Sequence, residues 1–177
     1  KWYFEVYFSA SNADNNGGVA VSGSSEYNDI PGETTDPTGF RYGSAGNFKQ
    51  NGSAGSVITA IAAKDIVIVA IDMDNDKAWF GINGTWVSSG DPAAGTNATT
   101  TTVPDLAFPA SYHYSTTATE LFNFGQDSTF SGLYTQSNSY VADSNNYVGA
   151  SDGSGVGSFF YTPPTGYLAI CTKNLGS

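Results

Sequence analysis

Hydrophobic positions are densest over residues 66–86, where they write out three strands and two tight turns. Ile66-Val67-Ile68-Val69-Ala70-Ile71 is an unbroken apolar run, mostly β-branched, which is the pattern of a strand buried on both faces. Asp74-Asn75-Asp76-Lys77 then turns the chain, because Asn and Asp tolerate the left-handed conformation that tight turns demand. Ala78, Phe80 and Ile82 alternate with Trp79 and Gly81, the period of a strand with two different faces. Asn83-Gly84 predicts a type I′ hairpin turn, whose two central residues both need positive φ, and Thr85-Trp86 starts the return strand.

The same reading extends outward. Trp2, Phe4, Val6 and Phe8 share one face while Tyr3, Glu5 and Tyr7 share the other, which predicts an edge or outer strand with a single core face. Val19 and Val21 alternate in the same way, and residues 22–38 form a polar loop punctuated by Pro and Gly. Residues 87–107 have no periodicity, and we expect them to wrap across one sheet. Phe122 and Phe124 restore alternation, residues 127–158 are rich in Ser, Asn, Gly and Tyr, and strands return over 159–161 and 167–172. About a dozen short strands separated by turn residues predict an all-β, two-layer antiparallel sandwich with very little helix. The 177 residues suit one domain spanning 1–177.

Charge narrows the possible partners. A net charge of −10 with only six Lys plus Arg leaves little to neutralise phosphates, so nucleic acid and anionic bilayers are poor partners. No apolar run approaches the roughly 20 residues that cross a bilayer, and we expect a soluble domain with no membrane insertion. Met73 is the only methionine, which suggests a domain excised from a longer polypeptide. The single Cys171 lies in an apolar stretch and reads as a small buried hydrophobe, and the lack of disulfides suits folding in a reducing cytoplasm.

No catalytic constellation emerges. His113 is the only histidine, and no Gly-x-Ser-x-Gly elbow places a nucleophile beside it. One His and one Cys, distant in sequence, do not complete a tetrahedral zinc set. Asp72, Asp74 and Asp76 imitate the opening of a calcium loop, but Lys77 and Asn83 occupy the positions that need Gly and Glu, so a plain turn is expected. Neither metal nor cofactor is expected. Tyr134, Tyr140 and Tyr147 sit among Ser, Asn and Gly, the mixture that recognition loops use because Tyr gives large amphipathic contact at low entropic cost. Arg41, Trp86, Tyr112, His113 and Tyr114 are the further candidates for such a surface, Trp, Tyr and Arg being enriched at binding hot spots. Trp86 alternatively packs over its own hairpin, and Arg41 alternatively pairs with an acid.

The block 66–86 resembles the core hairpins of the SPRY domain family, with its hydrophobic run ending in Asp, a turn, Trp79-Phe80, and Asn83-Gly84-Thr85-Trp86. The likeness continues through residues 1–6, Gly18-Val19-Ala20-Val21, Phe40-Arg41-Tyr42-Gly43, Phe108-Pro109-Ala110 and Asn123-Phe124-Gly125-Gln126. Residues 161–175 and 89–97 are similar to segments of SPRY domains in bacteriophage structural proteins. Departures are Ile68 and Lys64, where the family usually has Gly, and Asp127-Ser128-Thr129 in place of a common Arg-Pro pair. The resemblance implies a SPRY or concanavalin-like jelly roll acting as a non-catalytic interaction module. It further implies part of a tail fibre or other virion appendage, made in the bacterial cytoplasm and acting outside it. The partner would be a protein or glycan on a bacterial surface, or another virion protein, and a homo-oligomer in the full-length protein is compatible with this. A carbohydrate-binding or carbohydrate-cleaving sandwich and a structural spacer in a fibre are the alternative expectations.

Overall fold

The computed structural model describes residues 1–9, 17–22, 39–43, 46–57, 59–113, 120–133 and 149–175. In chain order the strands are β1 (Trp2–Phe8), β2 (Gly17–Ser22), β3 (Phe40–Gly43), β4 (Asn47–Gln50), β5 (Ser53–Val57), β6 (Ile66–Asp72), β7 (Lys77–Ile82), β8 (Thr85–Trp86), β9 (Phe108–His113), β10 (Glu120–Asn123) and β11 (Leu168–Ala169). One four-residue helix, α1 (Thr172–Leu175), follows. Strands β10-β1-β6-β7-β8 form one antiparallel sheet, and β5-β4-β3-β2-β9 form the other. The short β11 joins β1 in parallel at Trp2 and Tyr3, on the edge that β10 covers further along.

The 66–86 block folds as its pattern predicts. All seven residues of β6 are buried. Asp76 closes the first turn at φ 53°, and Asn83 and Gly84 make the second at φ 50° and 79°, both in the left-handed region. Asn83 also clamps the hairpin to the start of β6, its side-chain Oδ1 accepting from the Ile66 N–H at 2.9 Å and its backbone N–H donating to the Ile66 carbonyl at 2.9 Å.

Strand β6 serves two cores because its side chains alternate. Val67, Val69 and Ile71 point between the sheets, where they meet Phe4, Val6 and Phe8 of β1, Phe40 and Tyr42 of β3, and Phe80 of β7. Ile66, Ile68 and Ala70 point to the opposite face, where Trp79, Phe130, Phe159 and Tyr167 cover them. The C-terminal coil is thus an outer layer on the larger sheet.

That layer corrects the expectation for β1. The strand is central, paired with β6 on one side and with β10 and β11 on the other, and Phe4, Tyr3 and Glu5 are all fully buried. Glu5 does not mark a solvent face. Its Oε1 accepts from Tyr3 Oη at 3.0 Å and the Tyr161 N–H at 2.7 Å, and its Oε2 from Asn123 Nδ2 at 3.1 Å and the Phe160 N–H at 2.9 Å. A buried carboxylate is tolerable when donors replace its water, and these four do so.

Asp152 performs a similar service nearer the C-terminus. It accepts from the N–H groups of Ser154, Val156 and Ala169, each at 2.9 Å, and from Asn174 Nδ2 at 2.8 Å, so one side chain ties a turn, β11 and α1 together. Residues 87–103 run along the edge of β7 that the short β8 leaves open. Ala78 pairs with Thr100, Trp79 Nε1 donates to the Thr96 carbonyl at 2.8 Å, and the Val103 N–H donates to the Asp76 carbonyl at 3.0 Å. The aperiodic stretch, expected to wrap across one sheet, instead runs along the edge of β7 and protects it.

Candidate functional site

A cleft of about 450 Å³ opens where three segments from different parts of the chain converge. One wall is the Asn51-Gly52 turn between β4 and β5, another is Asp76 at the β6–β7 turn, and the third is residues 101–104. Small-ligand sites span roughly 300–1,000 Å³, so the space suits a small ligand or the tip of a larger one.

Local geometry holds each wall. Gln50 faces Ser53 in register, leaving Asn51 at φ 51° and Gly52 at φ 69° as a two-residue turn of the same kind as Asn83-Gly84. Asp76 is held by its left-handed turn and by the Val103 N–H on its carbonyl. Gln50 is the strut across the floor, donating from Nε2 to the Thr102 carbonyl at 2.9 Å and accepting from Thr100 Oγ1 at 2.6 Å. Thr102 donates its N–H to Thr100 Oγ1 at 3.3 Å. Both ends of Gln50 are occupied by this frame, whereas Asn51, Asp76 and Thr101 are exposed at the mouth. Half-buried Pro104 supplies an apolar edge, Val103 beside it being packed into the inter-sheet core, and Leu106, 63% exposed, follows two residues on from Pro104.

The acids with displaced protonation lie elsewhere. Burial pushes the Glu5 carboxyl up to about 7, although its four hydrogen bonds pull it down. Burial likewise raises Glu120 to about 8, against the pull of a hydrogen bond with Ser111. Burial would raise Asp152 too, but the hydrogen bonds from Ala169, Ser154, Val156 and Asn174 outweigh it and hold the group well below the usual carboxylate range. Asp72 is also lowered, burial being outweighed by Lys1, whose Nζ sits 2.7 Å from Oδ2, and by Asn75. Displaced acids often mark catalytic sites, but Glu5 has no exposed surface and Asp152 only 5%, so neither meets a substrate.

The candidates named from sequence fall in several places. Arg41 lies in β3 between Phe40 and Tyr42, both of which enter the inter-sheet core, so it occupies the opposite face of the smaller sheet, in a cross-strand row with Ala20 and Lys49. It is only 7% exposed. Tyr112 and His113 end β9 in the same sheet, their backbones paired with Gly18 and Gly17. Trp86 belongs to the other sheet, half-buried in β8 opposite Gly81 and packed against the outer core. Tyr114, Tyr134, Tyr140 and Tyr147 lie outside the described residues. Neither Arg41 nor Trp86 lines the cleft. Sequence reading missed the cleft, yet one signal was available: Asn51-Gly52 is the same dipeptide as Asn83-Gly84 and predicts the same turn.

No family model and no curated protein matches the chain. Solved structures do. The SPRY domain of human HERC1 matches with a TM-score of 0.52 and 20% identity, over 67% of this chain and 70% of that one. A human SPRY domain matches with a TM-score of 0.50 and 20% identity, over 66% of this chain and 72% of that one. The chain therefore has the β-sandwich fold of SPRY domains.

Proposed function

We propose that this domain is a non-catalytic binding module of a bacteriophage virion protein, a tail fibre or similar appendage. It would recognise a protein or glycan on the bacterial surface, or a neighbouring virion protein. The observation that carries the reading is the division of labour among polar groups. The buried acids Glu5 and Asp152 are consumed in holding the layers together, while exposed polar groups gather on turns at one cleft of a cross-tied frame. Rigid scaffolds that present polar and aromatic loops are the usual vehicle of recognition. The SPRY fold supports an interaction role, that being the general role of the family, and the resemblance of residues 89–97 and 161–175 to phage SPRY domains supports the virion setting.

Within this reading Tyr112, His113, Tyr114, Tyr134, Tyr140 and Tyr147, with Trp86, contribute contacts beyond the cleft, and Arg41, 7% exposed, is not a contact residue. Adsorption of the fluorescently labelled chain to bacterial cells and to purified virions tests it. Saturable adsorption that falls when Tyr134, Tyr140 and Tyr147 are replaced together by Ala, with an unchanged melting temperature, is the expected result. Absence of adsorption to either target would overturn it.

A further inference from the structure

We propose that the cleft formed by the Asn51-Gly52 turn, Asp76 and residues 101–104 is a binding site for a neutral saccharide. The groups offered at its mouth are chemically mixed. Asp76 supplies a carboxylate that accepts only, the Asn51 amide both donates and accepts, the Thr101 hydroxyl does either, and the Thr102 hydroxyl, whose proton goes to Thr100 Oγ1 because that of Thr100 goes to Gln50, accepts. A vicinal diol, whose hydroxyls must each donate and accept, matches such a set. A guanidinium or ammonium group would satisfy the carboxylate but, having no acceptor, would leave the donors of Asn51 and Thr101 unused, and an anion would be repelled by Asp76 and by the net charge of −10. Half-buried Pro104 gives the apolar surface that the C–H face of a sugar ring covers, with Leu106 exposed beyond it.

The site is preformed, which matters because ordering loops on binding reduces affinity. Gln50 ties β4 to the Thr100–Thr102 segment, and the Val103 N–H ties that segment to the Asp76 turn. Asn51 and Asp76, the two side chains with most to offer, both stand at left-handed positions, φ 51° and 53°. Those positions allow a clean test, because glycine accepts such a backbone without strain and removes the side chain entirely.

Saccharide binding here presupposes that the domain is a recognition module, and the two can be tested apart. The isotope-labelled chain is titrated with neutral hexoses, N-acetylhexosamines and their short oligomers, with an acidic oligosaccharide and an arginine-rich peptide for comparison, while amide NMR shifts are followed. A neutral sugar should shift the amides of Asn51, Asp76 and residues 101–103. Asp76→Gly and Asn51→Gly should each weaken that binding by about tenfold with no fall in melting temperature. Failure of every neutral sugar, shifts confined to other residues, preference for the acidic sugar or the peptide, or undiminished binding by both glycine variants would overturn the saccharide site. If cell or virion adsorption persists in those cases, the module reading stands and only the ligand class falls.

Discussion

The Tyr161 N–H donates to Glu5 Oε1 across 2.7 Å, joining two residues 156 positions apart in the chain. With the adjacent Phe160 N–H on Oε2, it fastens the C-terminal coil to the middle of the larger sheet. The carboxylate is isosteric with an amide, but an amide offers one acceptor and one donor where all four partners donate. Above about pH 7, where Glu5 is ionised and only accepts, Glu5→Gln should therefore lower stability by about 1–3 kcal/mol, the cost of a buried donor left without an acceptor. Urea denaturation measures it, and an unchanged midpoint would mean that the coil is held by packing alone.

Stability should peak on the acid side of neutrality. Glu5 and Glu120 have folded values of about 7 and about 8 against an ordinary 4.5, so over that interval the folded chain holds protons that the unfolded chain has released. Their contribution is complete below about 4.5 and is lost as pH rises towards 8. Asp72, Asp127 and Asp152 run the other way: their folded values lie below the ordinary 3.8, so their contribution is present above it and lost as pH falls further. The two trends leave a maximum between about pH 4 and 5, and repulsion within a chain of net charge −10 at pH 7 favours the same side. A melting temperature that rises steadily from pH 5 to pH 8 would refute this.

Gly81 leaves room for both Ile68 and the Thr85 carbonyl. Gly81 and Ile68 are cross-strand partners, and a Cβ on Gly81 would lie 2.7 Å from Ile68 Cγ1 and 2.6 Å from the Thr85 carbonyl oxygen. The Ile68 side chain is thus accommodated by its cross-strand neighbour. Gly81→Ala should cost about 1–3 kcal/mol as overpacking, and combined with Ile68→Ala, which alone costs about 2–5 kcal/mol by emptying buried space, it should cost less than the sum of the two single losses, because the side-chain part of the clash is relieved. Strict additivity in urea denaturation would show that the Thr85 carbonyl accounts for the whole clash.

Binding should respond weakly to salt. Six cationic side chains in all, with Arg41 buried and Lys1 and Lys77 engaged by Asp72 and the Gly95 carbonyl, leave little charge steering for a partner. Raising sodium chloride from 50 to 200 mM should change affinity by no more than about twofold, where a phosphate-binding protein making several contacts loses roughly a thousandfold or more. A steep dependence would point to an ionic partner and away from the cleft.

The sequence was most legible where pairing is local. The two turns of residues 66–86 could be read residue by residue because Asp76, Asn83 and Gly84 carry their own conformational preference. Strand β1 was misjudged because Glu5 looks like a solvent-facing residue until partners at Asn123, Phe160 and Tyr161 are supplied from far along the chain. Tyr3 and Tyr7 on the same face were the contrary signal, since two aromatics flanking an acid are a poor solvent surface. The cleft was illegible for a similar reason. Its walls come from residues 50–51, 76 and 101–104, and only the Asn51-Gly52 turn announces itself locally.

Calorimetry of the purified chain mixed with bacterial envelope polysaccharide, with the saccharide recovered and sized afterwards, tests most directly whether this scaffold binds rather than reacts. Saturable heat and a saccharide of unaltered length are the expected result. Heat that continues past saturation, accompanied by shortened chains, would contradict it.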